Sequence, residues 1–159
     1  MLRLANLPLV LGLLVWAPFV VAQSTLGELL DTGARKLSPD EFKQELVQRV
    51  IVGPSPTRGS LEVIYTTNGQ VAGLGRAPKG TSISSDELRI QGEWKIDGDA
   101  RICTSMKFSL QHTGAPALGQ GMAYLPPRCQ YWFKLGDTYF LSDSDWDRSA
   151  KVLSRRVKQ

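Results

Sequence analysis

The chain has 159 residues and a formal net charge of +4, with 42% hydrophobic and 21% charged residues. That composition excludes a disordered segment, and the length suits one domain with its own core. The positive balance is too slight to imply a nucleic-acid partner.

Residues 1–22 read separately from the rest. Met1-Leu-Arg-Leu-Ala-Asn6 leads into the apolar run Leu7–Ala17, Pro18 breaks it, and Val20 and Ala22 precede Gln23. This is the pattern of a secretory signal peptide cleaved after Ala22, in a run too short and too interrupted for a stable membrane anchor. Residues 23–159 are then expected as a single exported domain, helical over 24–48 and antiparallel β over 49–159, periplasmic or secreted. Two cysteines, Cys103 and Cys129, in an exported chain of this size predict a disulfide.

Thr25-Leu-Gly-Glu28 and Ser38-Pro-Asp-Glu41 both match the capping box, in which a hydroxyl and a carboxylate satisfy each other's backbone donors. The first opens a short helix with Leu26, Leu29 and Leu30 on one side, ended by Gly33. The second predicts a helix from Pro39 to about Val47. Pro39 falls at the first helical position, and Asp40 and Glu41 lie at the positive end of the helix dipole. Phe42, Leu46 and Val47 are expected to face a sheet. Val50–Val52 reads as a brief strand. From Ser60 the period becomes two: Leu61, Val63 and Tyr65 alternate with Glu62, Ile64 and Thr66 up to the hairpin signal Asn68-Gly69. A two-residue loop there sets Tyr65 opposite Ala72 and Val63 opposite Leu74.

Ala77–Ser85 is turn-rich. In the hairpin that follows, a three-residue Asp97-Gly98-Asp99 loop pairs Trp94 with Ile102 and Ile96 with Ala100, whereas a two-residue turn sets Trp94 against Arg101. Gln111–Pro127 is punctuated by Gly and Pro, with a short strand at Gly121–Leu125. Cys129–Leu135, a Gly136-Asp137 turn and Thr138–Ser142 make the last clear hairpin, with Phe133 opposite Phe140. Cys129, Tyr131 and Leu135 share its core face, and Trp132 lies on the other, where it suits a pocket or an exposed position. Ser142–Asp147 is a turn. Ala150–Val157 is a closing strand, and the basic residues Arg148, Lys151, Arg155, Arg156 and Lys158 suit an edge guarded against aggregation. Alternation also separates the cysteines: Cys129 inward, Cys103 outward with Ser105 and Lys107. Their bond then needs a bulge or another turn length.

Most catalytic templates fail on composition. The single histidine, His112, builds neither a triad nor a multi-histidine metal site, and Cys-x-x-Cys, Gly-x-Ser-x-Gly and a Gly-rich phosphate loop are all missing. Asp97 and Asp99 flank a turn glycine, where local hydrogen bonding accounts for them without catalysis. Asp143, Asp145 and Asp147 alternate as calcium ligands do. However, Arg148 stands where an EF-hand loop needs glycine and Ser154 where it needs a bidentate glutamate, so a solvated acidic turn is the plainer account. Trp94, Tyr131, Trp132 and Phe133 sit in alternating strands, which makes them core sooner than a ligand cage. No cofactor or resident metal is expected.

Gly92-Glu-Trp94, Cys103, Cys129-Gln-Tyr-Trp132 and the closing Ser142–Leu153 together resemble uncharacterised exported bacterial proteins with a domain of unknown function. In those, an N-terminal helix precedes a β domain with a Gly-x-Trp strand and two cysteines. The resemblance runs from about Leu37 onward, implies a bacterial envelope location and brings no catalytic residues. Gly92-Glu-Trp94 is also similar to the lipocalin Gly-x-Trp. There it marks the first barrel strand, whereas here at least two strands precede it, so a smaller, lipocalin-like barrel is the most it implies.

The expected architecture is α+β: one or two short N-terminal helices, then a twisted antiparallel sheet forming a small barrel or half-barrel. The expected function is non-enzymatic binding of a small apolar ligand or a cell-envelope protein at a barrel mouth or concave sheet face. The alternative is a protein-interaction module, such as an inhibitor of a cell-wall hydrolase, working through loops Gly75–Ser85 and Gln111–Pro127.

Overall fold

The computed structural model describes residues 24–55, 59–76, 87–111 and 122–159. The expected signal peptide, the turn-rich stretch Ala77–Ser85 and His112 lie outside the described residues. Both capping boxes form: Thr25 caps α1 (Leu26–Asp31) and Ser38 caps α2 (Pro39–Leu46). Gly33, at φ +89°, turns the chain after α1. The strands are β1 (Arg35–Lys36), β2 (Val50–Pro54), β3 (Ser60–Tyr65), β4 (Gln70–Arg76), β5 (Glu87–Ile96), β6 (Ile102–Gln111), β7 (Met122–Tyr124), β8 (Arg128–Leu135), β9 (Thr138–Ser142) and β10 (Val152–Val157). Eight of them close into an antiparallel barrel in the order β2-β3-β4-β5-β6-β8-β9-β10, with β10 returning to β2. β1 extends the edge of β8 and β7 that of β6. β10 is therefore no edge strand, because it pairs on one side with β9 and on the other with β2; closure removes the edge its basic residues were expected to guard.

Two hairpins have the same loop form. Thr66 and Gln70 close the β3–β4 loop: the Thr66 N–H donates to Gln70 O at 2.8 Å, and the Gly69 N–H to Thr66 O at 3.2 Å, with Gly69 at φ +82°. The loop is thus three residues long, a turn followed by a left-handed position. Tyr65 pairs with Val71 and Val63 with Gly73, one step from the two-residue expectation. In the β5–β6 hairpin the loop is Gly98-Asp99-Ala100, of the expected length but displaced by one residue. The Asp97 carboxylate fixes that position by accepting from the N–H groups of Asp99 and Arg101 and from Arg101 Nε. Trp94 consequently faces Thr104 and Ile96 faces Ile102. The Gly136-Asp137 turn pairs Phe133 with Phe140, as read from the sequence.

Both faces of the β8–β9 ribbon are buried. Trp132, Tyr139 and Leu141 point into the barrel with Phe42 and Leu46 of α2, while Phe133 and Phe140 point outward and are covered by Leu26 and Leu29 of α1. Trp132 is 3% exposed, so it is a core residue, and the face carrying Cys129, Tyr131 and Phe133 is the outside of the barrel. That is also the side of Cys103. The two cysteines are direct cross-strand neighbours, and no bulge is needed. Their disulfide sits in a short closing seam, where β6 meets β8 through Ile102↔Gln130, Cys103↔Cys129 and Thr104↔Arg128.

Candidate functional site: the barrel interior

Eight strands enclose an interior just wide enough to be packed by side chains or to hold one small ligand. One mouth of this barrel, beside the three hairpin loops described above, is packed. Phe42 of α2 enters it and lies 5.4, 5.5 and 5.3 Å, centroid to centroid, from Tyr65, Trp94 and Trp132. Tyr65 in turn stands edge-on to both tryptophans. Edge-on and tilted rings at these spacings gain beyond their buried area. Trp94 Nε1–H, which has to find an acceptor once buried, donates to Thr66 O at 2.9 Å.

The end of α2 is tied to the rim. Glu45 accepts from Lys134 Nζ at 2.6 Å and from the Tyr139 hydroxyl at 2.7 Å. Burial opposes the Glu45 carboxylate, but the bonds from Lys134 and Tyr139 outweigh it and hold its pKa below the usual carboxylate value. The bond to Glu45 raises the pKa of Lys134, and burial followed by the same bond raises that of Tyr139.

The opposite mouth has a different lining. An inward-facing row crosses five strands, with Arg155 opposite Gly53 by the β10–β2 register, then Leu61, Gly75 and Leu88. Two of these five positions carry no side chain. Leu61 and Leu88, with Phe108 and Leu153 beside them, are only partly buried although alternation points them inward. Among the described residues no second helix enters this mouth. The β4 glycines differ in kind. A Cβ on Gly73 would lie 2.0 Å from Glu62 O, a sharp corner of the sheet, whereas one on Gly75 would meet Leu88 at an ordinary 3.4 Å. Gly92 repeats the corner on β5, 2.0 Å from Ser105 O.

Arg155 lies in this wall at 6% exposure. Its guanidinium crosses Gly53, where a Cβ would come within 2.7 Å of Nη1. Nη1 donates to Pro54 O at 3.0 Å and Ser154 O at 2.8 Å. Among the described residues no carboxylate pairs with it. Burial lowers its pKa, opposed only by the neighbouring Tyr65, whose own phenol burial pushes up to about 12.

The sites singled out from sequence are scattered over the outside. Asp143 accepts from Arg128 and Gln130, Asp145 pairs with Lys36, and Asp147 accepts from Ser149. The three carboxylates thus turn to different partners rather than around a common centre. Asp97 lies near the sulfurs of Cys103 and Cys129, but those sulfurs are bonded to each other and free for no metal. Trp94 and Trp132 are the two sequence-selected aromatics that do meet, through Phe42. An outer groove of about 440 Å³ runs over the Gly92 corner, lined by Gln70, Gln91, Glu93, Ser105, Lys107 and Tyr124. Trp146 is 82% exposed on a turn held by the Ser144 hydroxyl, which accepts from the N–H groups of Trp146 and Asp147. Sequence reasoning missed Arg155 and Glu45. For Arg155 a signal was present, because Leu153-x-Arg155-x-Val157 puts it on the apolar face of its strand.

Fold and interior together define a small closed antiparallel barrel, plugged at one mouth by a capped helix and lined by leucines, glycines and an arginine toward the other. Comparison with protein-family models, with curated proteins and with solved structures yields no match.

Proposed function

We propose that the chain is an exported, non-enzymatic binding module that takes a small apolar ligand into the barrel mouth opposite α2, a lipocalin-like use of a small barrel. The observation that carries this reading is the row of partly buried inward leucines set between side-chain-free positions at Gly53 and Gly75. Pockets for small molecules are concave and mostly apolar, with few polar groups. Export, to the periplasm or beyond, is part of the proposal. It rests on the pattern of residues 1–22 and is supported by the Cys103–Cys129 disulfide, a bond that persists in oxidising compartments. The resemblance to exported bacterial proteins belongs to the same proposal. Among the described residues no helix is long and apolar enough to cross a membrane.

Titration of the purified protein with the neutral apolar dye N-phenyl-1-naphthylamine tests the reading. Saturable, blue-shifted fluorescence at one dye per chain is expected, weakened at least about tenfold by Gly75→Leu, which fills the row. Dye binding that does not saturate, or that Gly75→Leu leaves unchanged, overturns it. A second reading, contact with a cell-envelope protein such as a cell-wall hydrolase, is favoured by Trp146, since an exposed tryptophan on a fixed turn is an anchor of the kind that dominates protein interfaces. Native mass spectrometry would then show a stoichiometric protein partner that Trp146→Ala releases.

A further inference from the structure

Arg155 is anomalous for a structural residue. A buried charge is costly unless it is paired, and it stays charged because guanidinium does not give up its proton in proteins. Among the described residues its only acceptors are two carbonyls, and both meet the same nitrogen, Nη1. No acceptor among the described residues meets Nε or Nη2. Among the described residues no side-chain nitrogen or oxygen is both sealed from solvent and unpartnered, so these two nitrogens keep some access to water. Nε–H and the adjacent Nη2–H form the side-on edge of the guanidinium, two parallel donors whose spacing matches the oxygens of a carboxylate. The bonds from Nη1 fix the orientation of that edge, and Gly53 leaves the space in which the side chain lies. Partly buried Leu153, two residues earlier on β10, and Leu61, opposite Gly53 on β3, share its inward face.

We propose that Arg155 anchors the ligand, and that the ligand is an amphiphile with one carboxylate head and an apolar chain. The head pairs with Nε and Nη2, and the chain lies along the leucine-lined mouth. This rests on the reading of the mouth as a binding site and adds to it the charge and shape of the head group.

Isothermal titration with dodecanoate and with dodecanol, which share a chain and differ in the head, separates the two claims. Dodecanoate is expected to bind at least about tenfold more tightly, and Arg155→Met to remove that preference while leaving dodecanol affinity within about twofold. Equal affinity of the two ligands for the native protein, or a preference that survives Arg155→Met, overturns the anchor and leaves an apolar site standing. Binding of neither overturns both. Should Arg155→Met fail to fold, the native protein still decides through carboxyl-¹³C dodecanoate. Its bound head must stay ionised at a pH below that at which free dodecanoate protonates, and protonation at the ordinary pH or above overturns the anchor.

Discussion

The two mouths of the barrel are built from the same strands by opposite means. At one, α2 delivers Phe42 among Tyr65, Trp94 and Trp132, and the rim bonds of Glu45 hold the helix in place. At the other, the inward positions are occupied by Gly53, Gly75, partly buried leucines and one charged side chain without a carboxylate partner among the described residues. Among the described residues the first mouth concentrates packing and the second leaves its inward leucines partly buried. Incomplete packing and an unpaired charge both lower stability, and that local cost is the ground on which the binding site is proposed there.

Substitutions that respect this division should have sharply different costs. The largest is expected for Phe42→Ala, about 4 kcal/mol, because it empties the centre of the aromatic cluster. Leu153→Ala, partly buried on the inner wall, should cost about half as much or less; equal values from urea unfolding would erase the distinction. Next comes the seam. The disulfide spans a sequence separation of 26, and replacing both cysteines by serine should cost about 3.5 kcal/mol in the chain-entropy model. A much smaller loss in the urea midpoint would mean that the three β6–β8 pairs close the barrel unaided.

The glycines of β4 give the sharpest internal control. Gly73→Ala drives a methyl group into Glu62 O and should cost about 3 kcal/mol, whereas Gly75→Ala, two residues along the same face, should stay within about 1 kcal/mol. Similar thermal midpoints for the two variants would contradict the contrast between corner and open row. The smallest effect belongs to Glu45. Its folded pKa lies below the ordinary value, so its contribution is present above the unfolded pKa and is lost as pH falls through the folded one. The stability gap between the native protein and Glu45→Gln should be about 1 kcal/mol at pH 7 and vanish in strong acid. Lys134 and Tyr139 have raised values, so their share is present below their unfolded pKa values and fades as pH climbs through the folded ones.

What could be read from the residues alone was local. Ser38 and Glu41 cap α2 across three residues, Asn68-Gly69 and Gly136-Asp137 reverse the chain within five, and period two marks the strands, because these effects act over one turn or one strand. Alternation also shows that Trp132 and Phe133 face opposite ways. It cannot say which faces in when both sides of a ribbon are buried, since two apolar faces carry no contrast. That was decided by α1 lying on the outside and α2 entering the inside, contacts with residues nearly a hundred positions away. The same closure turned β10 from an edge into a wall and put Arg155 within it. Sequence determined the helices, where the chain turns and the pairing of the cysteines, but not the loop length at Asn68-Gly69 or the loop position after Asp97. Only the closed barrel decided which charge is buried, because inside and outside exist only once the last strand meets the first.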